Sequence, residues 1–152
     1  MEKRLAEFVR TQIESTLCPT YFGYDLSCAC AVSSWTLWRF LTKNQIKSNF
    51  VLGRWYGDVA LQVEECLYED IPVDWESVGI GHCWIEIDDK IIDITLTQFD
   101  NVPNVCILDE DDDLFYHHAL LRNQDAMNEI NRCWPKEQNP KTYHQYLKGI
   151  LK

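Results

Sequence analysis

The stretch GIGHCWIEIDDKIIDIT, residues 79–95, decides the fold. Gly79 to Ile87 and Lys90 to Thr95 read as two strands, and the polar pair Asp88-Asp89 between them reads as a turn, so the segment is predicted to be a β-hairpin. A turn there sets opposite each other residues whose numbers sum to about 177. His82 then faces position 95. Asp93, two residues from that point, falls on the same face within reach of the imidazole. An aspartate inside Ile91-Ile92-Asp93-Ile94 needs a partner, because a buried unpaired carboxylate is expensive. His82 would be that partner.

On the N-terminal side of the hairpin, residues 1–17 carry Leu5, Phe8, Val9, Ile13 and Leu17 at spacings of three and four, the pattern of an amphipathic helix. Pro19 to Asp25 reads as a loop. Cys28 to Lys43 reads as a second helix, capped by Asp25 or Ser27. It is apolar on most sides and therefore buried, with Leu26, Val32, Trp35, Leu37, Trp38, Phe40 and Leu41 in the core. Asn49 to Trp55, Val59 to Glu65 and Val105 to Leu108 are further strand candidates. Past the hairpin, the acidic run Asp109 to Asp113 precedes Leu114 to Leu121. A helix over Gln124 to Cys133, a break at Pro135 and a last helical stretch from Pro140 to Leu151 complete the chain. No repeat or linker interrupts it. The order predicts one α+β domain over residues 1–152.

Composition narrows the function classes. The chain is 46% hydrophobic and 25% charged, within the globular range, and carries a net charge of −10. A nucleic-acid binder needs a basic footprint, and an anionic membrane surface attracts one, so neither partner is expected. No run approaches the roughly 20 apolar residues of a membrane span. The first residues, Met1-Glu2-Lys3-Arg4, are too polar for a secretory signal, so a cytoplasmic location is expected, with the seven cysteines as free thiols. No phosphate-binding Gly-rich loop exists among six glycines, and no cofactor is expected.

Three residues carry the chemistry. Cys30, in Leu26-Ser27-Cys28-Ala29-Cys30, sits where a polar loop enters the buried helix. A thiol there feels the positive end of the helix dipole, which favours the nucleophilic thiolate, and free backbone N–H groups stand ready for an oxyanion. His82 is a base within reach and Asp93 a carboxylate to orient it, which is triad logic applied to cysteine.

These segments resemble the transglutaminase-like, papain-related superfamily of Cys-His-Asp enzymes. That pattern has Cys at the start of a buried helix, a small residue four positions on, an apolar helix, and a strand ending in Gly. His-Ala-Trp-Val-Glu and a strand with Asp then follow. Here the pieces are Cys30, Ser34, Leu37, Leu41, Ile46, Phe50-Val51-Leu52-Gly53, His82-Cys83-Trp84-Ile85-Glu86 and Asp93-Ile94-Thr95. Gln98-Phe99 looks like the bacterial and phage members. The likeness covers about residues 24 to 100. It implies a papain/transglutaminase-like core, with the Cys-bearing helix packed on an antiparallel sheet and flanked by other helices. It also implies catalysis by Cys30, His82 and Asp93 through a thioester. Trp84 would shield the His82–Asp93 bond. Tyr24 stands where papain-like enzymes keep a glutamine, and Gln98 would face substrate or serve structure. Two positions depart from the pattern: Cys28 stands where Gly is common, and Cys83 where Ala is. Cys28 is therefore a rival nucleophile, although Cys30 fits the spacing without gaps.

The expected partner is a protein, peptide or small amide substrate. The acyl-enzyme would be hydrolysed, as in a peptidase, deamidase or amidase, or passed to an amine, as in a transglutaminase or N-acyltransferase. A catalytically silent binding module is the rival. Zinc held by Cys28, Cys30, His82 and Cys83 is disfavoured by its spacing, and no metal is expected. Asp109 to Asp113 reads as a solvated loop, His117-His118 as surface or strand edge, and Cys18, Cys66, Cys106 and Cys133 as packing.

Overall fold

In the computed structural model the hairpin forms, with Ile85 opposite Ile92, Glu86 opposite Ile91 and Ile87 opposite Lys90. Each pair sums to the expected number, and Asp88 adopts φ 54° to close the two-residue turn. Residues 1–18, 20–23, 26–56, 68–70, 80–99, 102–109 and 117–151 are described. The strand expected over Val59 to Glu65, Tyr24, Cys66, most of the acidic run and residues 114–116 lie outside them.

The elements are α1 (Glu2–Leu17), α2 (Cys30–Lys43), β1 (Asn49–Trp55), β2 (Ile80–Ile87), β3 (Lys90–Asp93), β4 (Cys106–Asp109), β5 (His117–Arg122), α3 (Asn123–Cys133) and α4 (His144–Leu147). Among the described residues, four α-helices accompany a five-stranded sheet in the order β4-β3-β2-β1-β5, with every neighbouring pair antiparallel. The architecture is α+β. Among the described residues no helix is long and apolar enough to cross a membrane.

Side-chain alternation divides the sheet into two faces. Phe50, Leu52, Cys83, Ile85 and Ile92 join the main core with Val32, Leu37 and Leu41 of α2 and Val9, Ile13 and Leu17 of α1. Val51, Trp84 and Ile91 form a second, smaller cluster on the opposite face. At about 1.5–3 kcal/mol per large apolar side chain, the first face dominates the burial free energy. Trp35, Trp38 and Phe40 are half-buried at its rim, and Phe8 is exposed and stacked on Phe40 with ring centroids 5.3 Å apart.

Three boundaries differ from expectation for local reasons. Helix α2 begins at Cys30 behind Ala29, with no side-chain cap. The preceding turn holds Leu26 at φ 61° and Cys28 at φ 67°, left-handed backbone that no right-handed helix can include. Strand β3 ends at Asp93 rather than Thr95, because Asp93 accepts the Thr95 N–H at 3.0 Å and turns the chain into a 3-10 turn at Leu96–Gln98. The last stretch is a 3-10 turn at Pro140–Tyr143 plus the single turn α4, a length that needs tertiary packing to persist. Tyr143, Leu147 and Ile150 provide that packing.

Candidate active site

The site forms where β3 stops pairing with β2. Beyond Ile85 the edge of β2 is open, and the N-terminal turn of α2 fills the gap. Cys30 and Ser34 lie one turn apart on one face of α2. Ser34 Oγ donates to the Cys83 carbonyl at 3.1 Å, and the Cys83 backbone N–H donates to the Cys30 sulfur. The small residue four positions after the cysteine thus bonds the carbonyl of the residue that follows His82.

His82 and Asp93 are fully buried, and His82 Nε2 lies 2.6 Å from Asp93 Oδ2. An ionised carboxylate only accepts, so the nitrogen is the donor. That fixes the tautomer of the neutral ring, with its lone pair on Nδ1; in the imidazolium Nδ1 carries the second proton. Nδ1 has no nitrogen or oxygen partner among the described residues, and the Cys30 sulfur couples to this ring. Cys30, His82 and Asp93, far apart in sequence, are therefore contiguous.

Electrostatics sharpen the arrangement. The Cys30 thiol is lowered to about 5. The hydrogen bond from the Cys83 thiol contributes most, burial opposes it, and His82 adds a further hydrogen bond and its charge. Burial works against a charge on His82, but the Asp93 carboxylate and the Cys30 sulfur overcome it and raise the imidazole to about 10. Burial likewise opposes charge on Asp93, while the charge of His82 and hydrogen bonds from His117 and His82 hold it well below the usual carboxylate range. The Cys83 thiol is driven up by burial and by its neighbour Cys30, so it stays protonated and donates. The favoured state is thiolate, imidazolium and carboxylate.

The other expected residues fall as follows. Trp84 is buried, its ring 5.9 Å from that of His82. Gln98 is half-buried. Its Oε1 accepts the Cys28 N–H at 3.0 Å, and its Nε2 is enclosed with no partner among the described residues. Gln98 thus supports the strained turn ahead of Cys30. Cys28 is exposed on that turn. Its backbone, not its thiol, explains the departure from the family pattern: φ 67° is the conformation glycine adopts freely. A cavity of about 470 Å³ borders Ser27 and Cys28.

Sequence reasoning missed two supporting groups, His117 and Arg10, and gave Gly53 only as the end of a strand. His117, expected at the surface or a strand edge, is indeed on edge strand β5, but it is buried and its Nε2 lies 2.9 Å from Asp93 Oδ2. Adjacent histidines in a strand must point to opposite faces, so one of His117 and His118 had to turn inward. Arg10, buried on α1, donates through Nη1 to the Ile94 carbonyl and to Thr97 Oγ1 and is paired with Glu14. It thereby anchors the segment leaving Asp93. Gly53 of β1 lies beside His82, and a Cβ there would sit 2.5 Å from the Trp84 ring and 2.1 Å from the His118 carbonyl. Among the remaining cysteines, Cys106 is buried, Cys18 half-buried, and Cys133 exposed rather than packed, while all six in the described residues are free thiols.

Among the described residues, one group of side chains could hold a metal ion. His82, Asp93 and His117 offer three ligand atoms within 4.8 Å of one another. Their separations of 2.6 and 2.9 Å to the carboxylate are hydrogen-bond lengths. Compared with models of protein families, with curated proteins and with solved structures, the chain matches none.

Proposed function

We propose that the protein is a cysteine-dependent acyl-transfer enzyme acting on an amide bond, with Cys30 as nucleophile, His82 as general base and acid, and Asp93 as the group that orients His82. The observation that carries this reading is the buried chain of contacts from the Cys30 sulfur through His82 to Asp93, with the thiol lowered to about 5 beside an imidazole raised to about 10. Perturbed titration of that kind clusters at functional sites. The resemblance to transglutaminase-like, papain-related enzymes adds to it.

The Cys30 thiolate attacks the amide carbon, forming the carbon–sulfur bond and a tetrahedral oxyanion. The N–H groups of the first turn of α2 and the Gln98 amide are the candidate donors for that oxyanion. His82 gives its proton to the departing nitrogen as the carbon–nitrogen bond breaks, leaving a thioester. It then takes a proton from water or from an acceptor amine, which attacks the thioester and releases the thiolate. Hydrolysis is the outcome proposed here, with transfer to an amine as the alternative.

A metal site at His82, Asp93 and His117 is the second reading, favoured by that two-histidine, one-carboxylate set. One measurement separates the two: alkylation rate at each cysteine against pH, by mass spectrometry, in the wild type, Cys30→Ala and His82→Ala. The expected result is one hyper-reactive thiol, at Cys30, with a midpoint well below neutral that rises when His82 is removed. Equal reactivity of Cys30 and the exposed Cys28 at neutral pH defeats the enzymatic reading. Stoichiometric zinc binding lost in His117→Ala would then support the second.

A further inference from the structure

The Asp93 carboxylate serves two histidines, and a triad needs only one. Oδ2 lies 2.6 Å from His82 Nε2 and 2.9 Å from His117 Nε2, while Oδ1 takes the Thr95 N–H. Each of these groups must donate, since the ionised carboxylate has no proton to give. The side chains of His82, Asp93 and His117 are all fully buried.

The second histidine arrives from a distance. Asp93 is on β3, His82 on β2 and His117 on β5, with β1 between the last two. Gly53 is the β1 residue beside both His82 and Ala119, so no β1 side chain stands between the two imidazoles at that level. The Trp84 ring packs edge-on against His117 with centroids 4.8 Å apart, and the His82 and His117 rings lie 6.0 Å apart. An apolar edge strand would have closed this face at least as well. An imidazole aimed at an oxygen that already has a donor needs a different reason.

We infer that His117 is a positioning residue for the site proposed above: its Nε2–H fixes the Asp93 carboxylate on the line to His82, so the reactivity of Cys30 depends on a side chain three strands away from Asp93. Asp93 is the last residue of β3, where the ladder to β2 has ended while the pairing with Cys106 of β4 continues, and its buried carboxylate is aimed by the donors it accepts from. Thr95 and His82 fix two directions. His117 supplies a third donor, and a carboxylate held by three donors cannot swing away when His82 changes its proton.

The inference rests on the thiol-enzyme reading, and its test keeps the two apart. Cys30 alkylation is followed against pH in the wild type, His117→Gln and His117→Leu, with thermal unfolding of each variant recorded. Gln keeps an N–H donor near the position of Nε2; Leu removes it. The expected result is a Cys30 midpoint raised by about one unit in His117→Leu, about tenfold less thiolate wherever both midpoints lie above the working pH. His117→Gln should stay near the wild type. A wild-type profile in a folded His117→Leu overturns the inference and leaves the thiol-enzyme reading standing. Equal loss in both variants overturns it too, since the donor would then not matter. An ordinary Cys30 midpoint already in the wild type defeats the reading itself, and the inference with it. If His117→Leu fails to fold, proton NMR of the wild type still decides. Two exchange-protected Nε2–H resonances downfield of the amides are expected, besides that of the His82 Nδ1–H facing Cys30, with one Nε2–H remaining in His117→Gln and neither in Asp93→Asn. A single Nε2–H resonance in the wild type overturns the inference.

Discussion

The two faces of the sheet bury groups of different chemistry. On one, Leu52, Ile85 and Ile92 share a core with Leu37 and Leu41 of α2, with the Cys30 and Cys83 thiols among them. On the other, His82, Asp93 and His117 lie as deep, beneath Trp84. The apolar face is stable through area removed from water, which is tolerant of detail. The polar face is stable only while every donor meets its acceptor, because a half-satisfied buried network is worse than none. The comparison predicts that equal losses of stability on the two faces will differ in their dependence on pH.

Asp93→Ala should show this with the largest effect. It leaves two buried histidines without their carboxylate and is expected to cost about 3–5 kcal/mol. Leu37→Ala, a cavity in the apolar face, is expected to cost about 2–5 kcal/mol. Urea denaturation between pH 5 and 10 separates them. The Leu37→Ala curve should parallel the wild type, whereas Asp93→Ala should lose the wild type's pH dependence.

The shape of that dependence follows from linkage. His82 is raised from 6.5 to about 10, so its contribution is complete below 6.5 and is lost as pH rises through about 10. Cys30 is lowered from 9.0 to about 5, so its contribution is complete above 9.0 and is lost as pH falls through about 5. Between 6.5 and 9.0 the two slopes oppose and cancel. The wild type should therefore show a stability plateau across that window and a decline on either side. A maximum confined to acidic or to alkaline pH would mean that the thiolate–imidazolium pair does not form.

Gly53→Ala probes the point where the strands between the histidines come together. Its Cβ would meet the His118 carbonyl and the Trp84 ring far inside contact distance, and at least one of these is backbone that must move. The expected cost is about 1–3 kcal/mol, read by thermal unfolding, with slower Cys30 alkylation because Trp84 abuts both imidazoles. A destabilised variant with unchanged Cys30 reactivity would uncouple the cluster from the thiol.

Much of this was legible in the sequence because the hairpin's register follows from its turn. Asp88-Asp89 fixed the pairing, and the pairing brought His82 to Asp93. The bounds of β1 were legible for the same reason, since a short apolar run has few ways to be wrong. His117 was not, because its partner lies across β1 from it, and strand order is not written in local pattern. Arg10 was not legible either, because its acceptors belong to residues 94 and 97, far along the chain. The start of α2 was misread by two residues because left-handed backbone at Leu26 and Cys28 carries no glycine to announce it.

That concealed turn makes the smallest expected effect the most discriminating. Cys28 and Cys30 are two residues apart, yet one is exposed on strained backbone and the other is buried against His82. A left-handed conformation costs a residue with a Cβ about 1–2 kcal/mol, and glycine is free of that cost. Glycine also loses more freedom on folding, by roughly 0.5–1 kcal/mol. Cys28→Gly should therefore raise stability by less than about 1 kcal/mol, and Cys28→Val should lower it, since β-branching makes positive φ worse. The Cys28 N–H survives both changes, so its bond to Gln98 is available to both variants. Cys30 alkylation in Cys28→Gly should match the wild type in rate and midpoint. If the hyper-reactive thiol vanished with Cys28 instead, the nucleophile would be the exposed cysteine, and the buried chain from Cys30 to Asp93 would have to be read as structure alone.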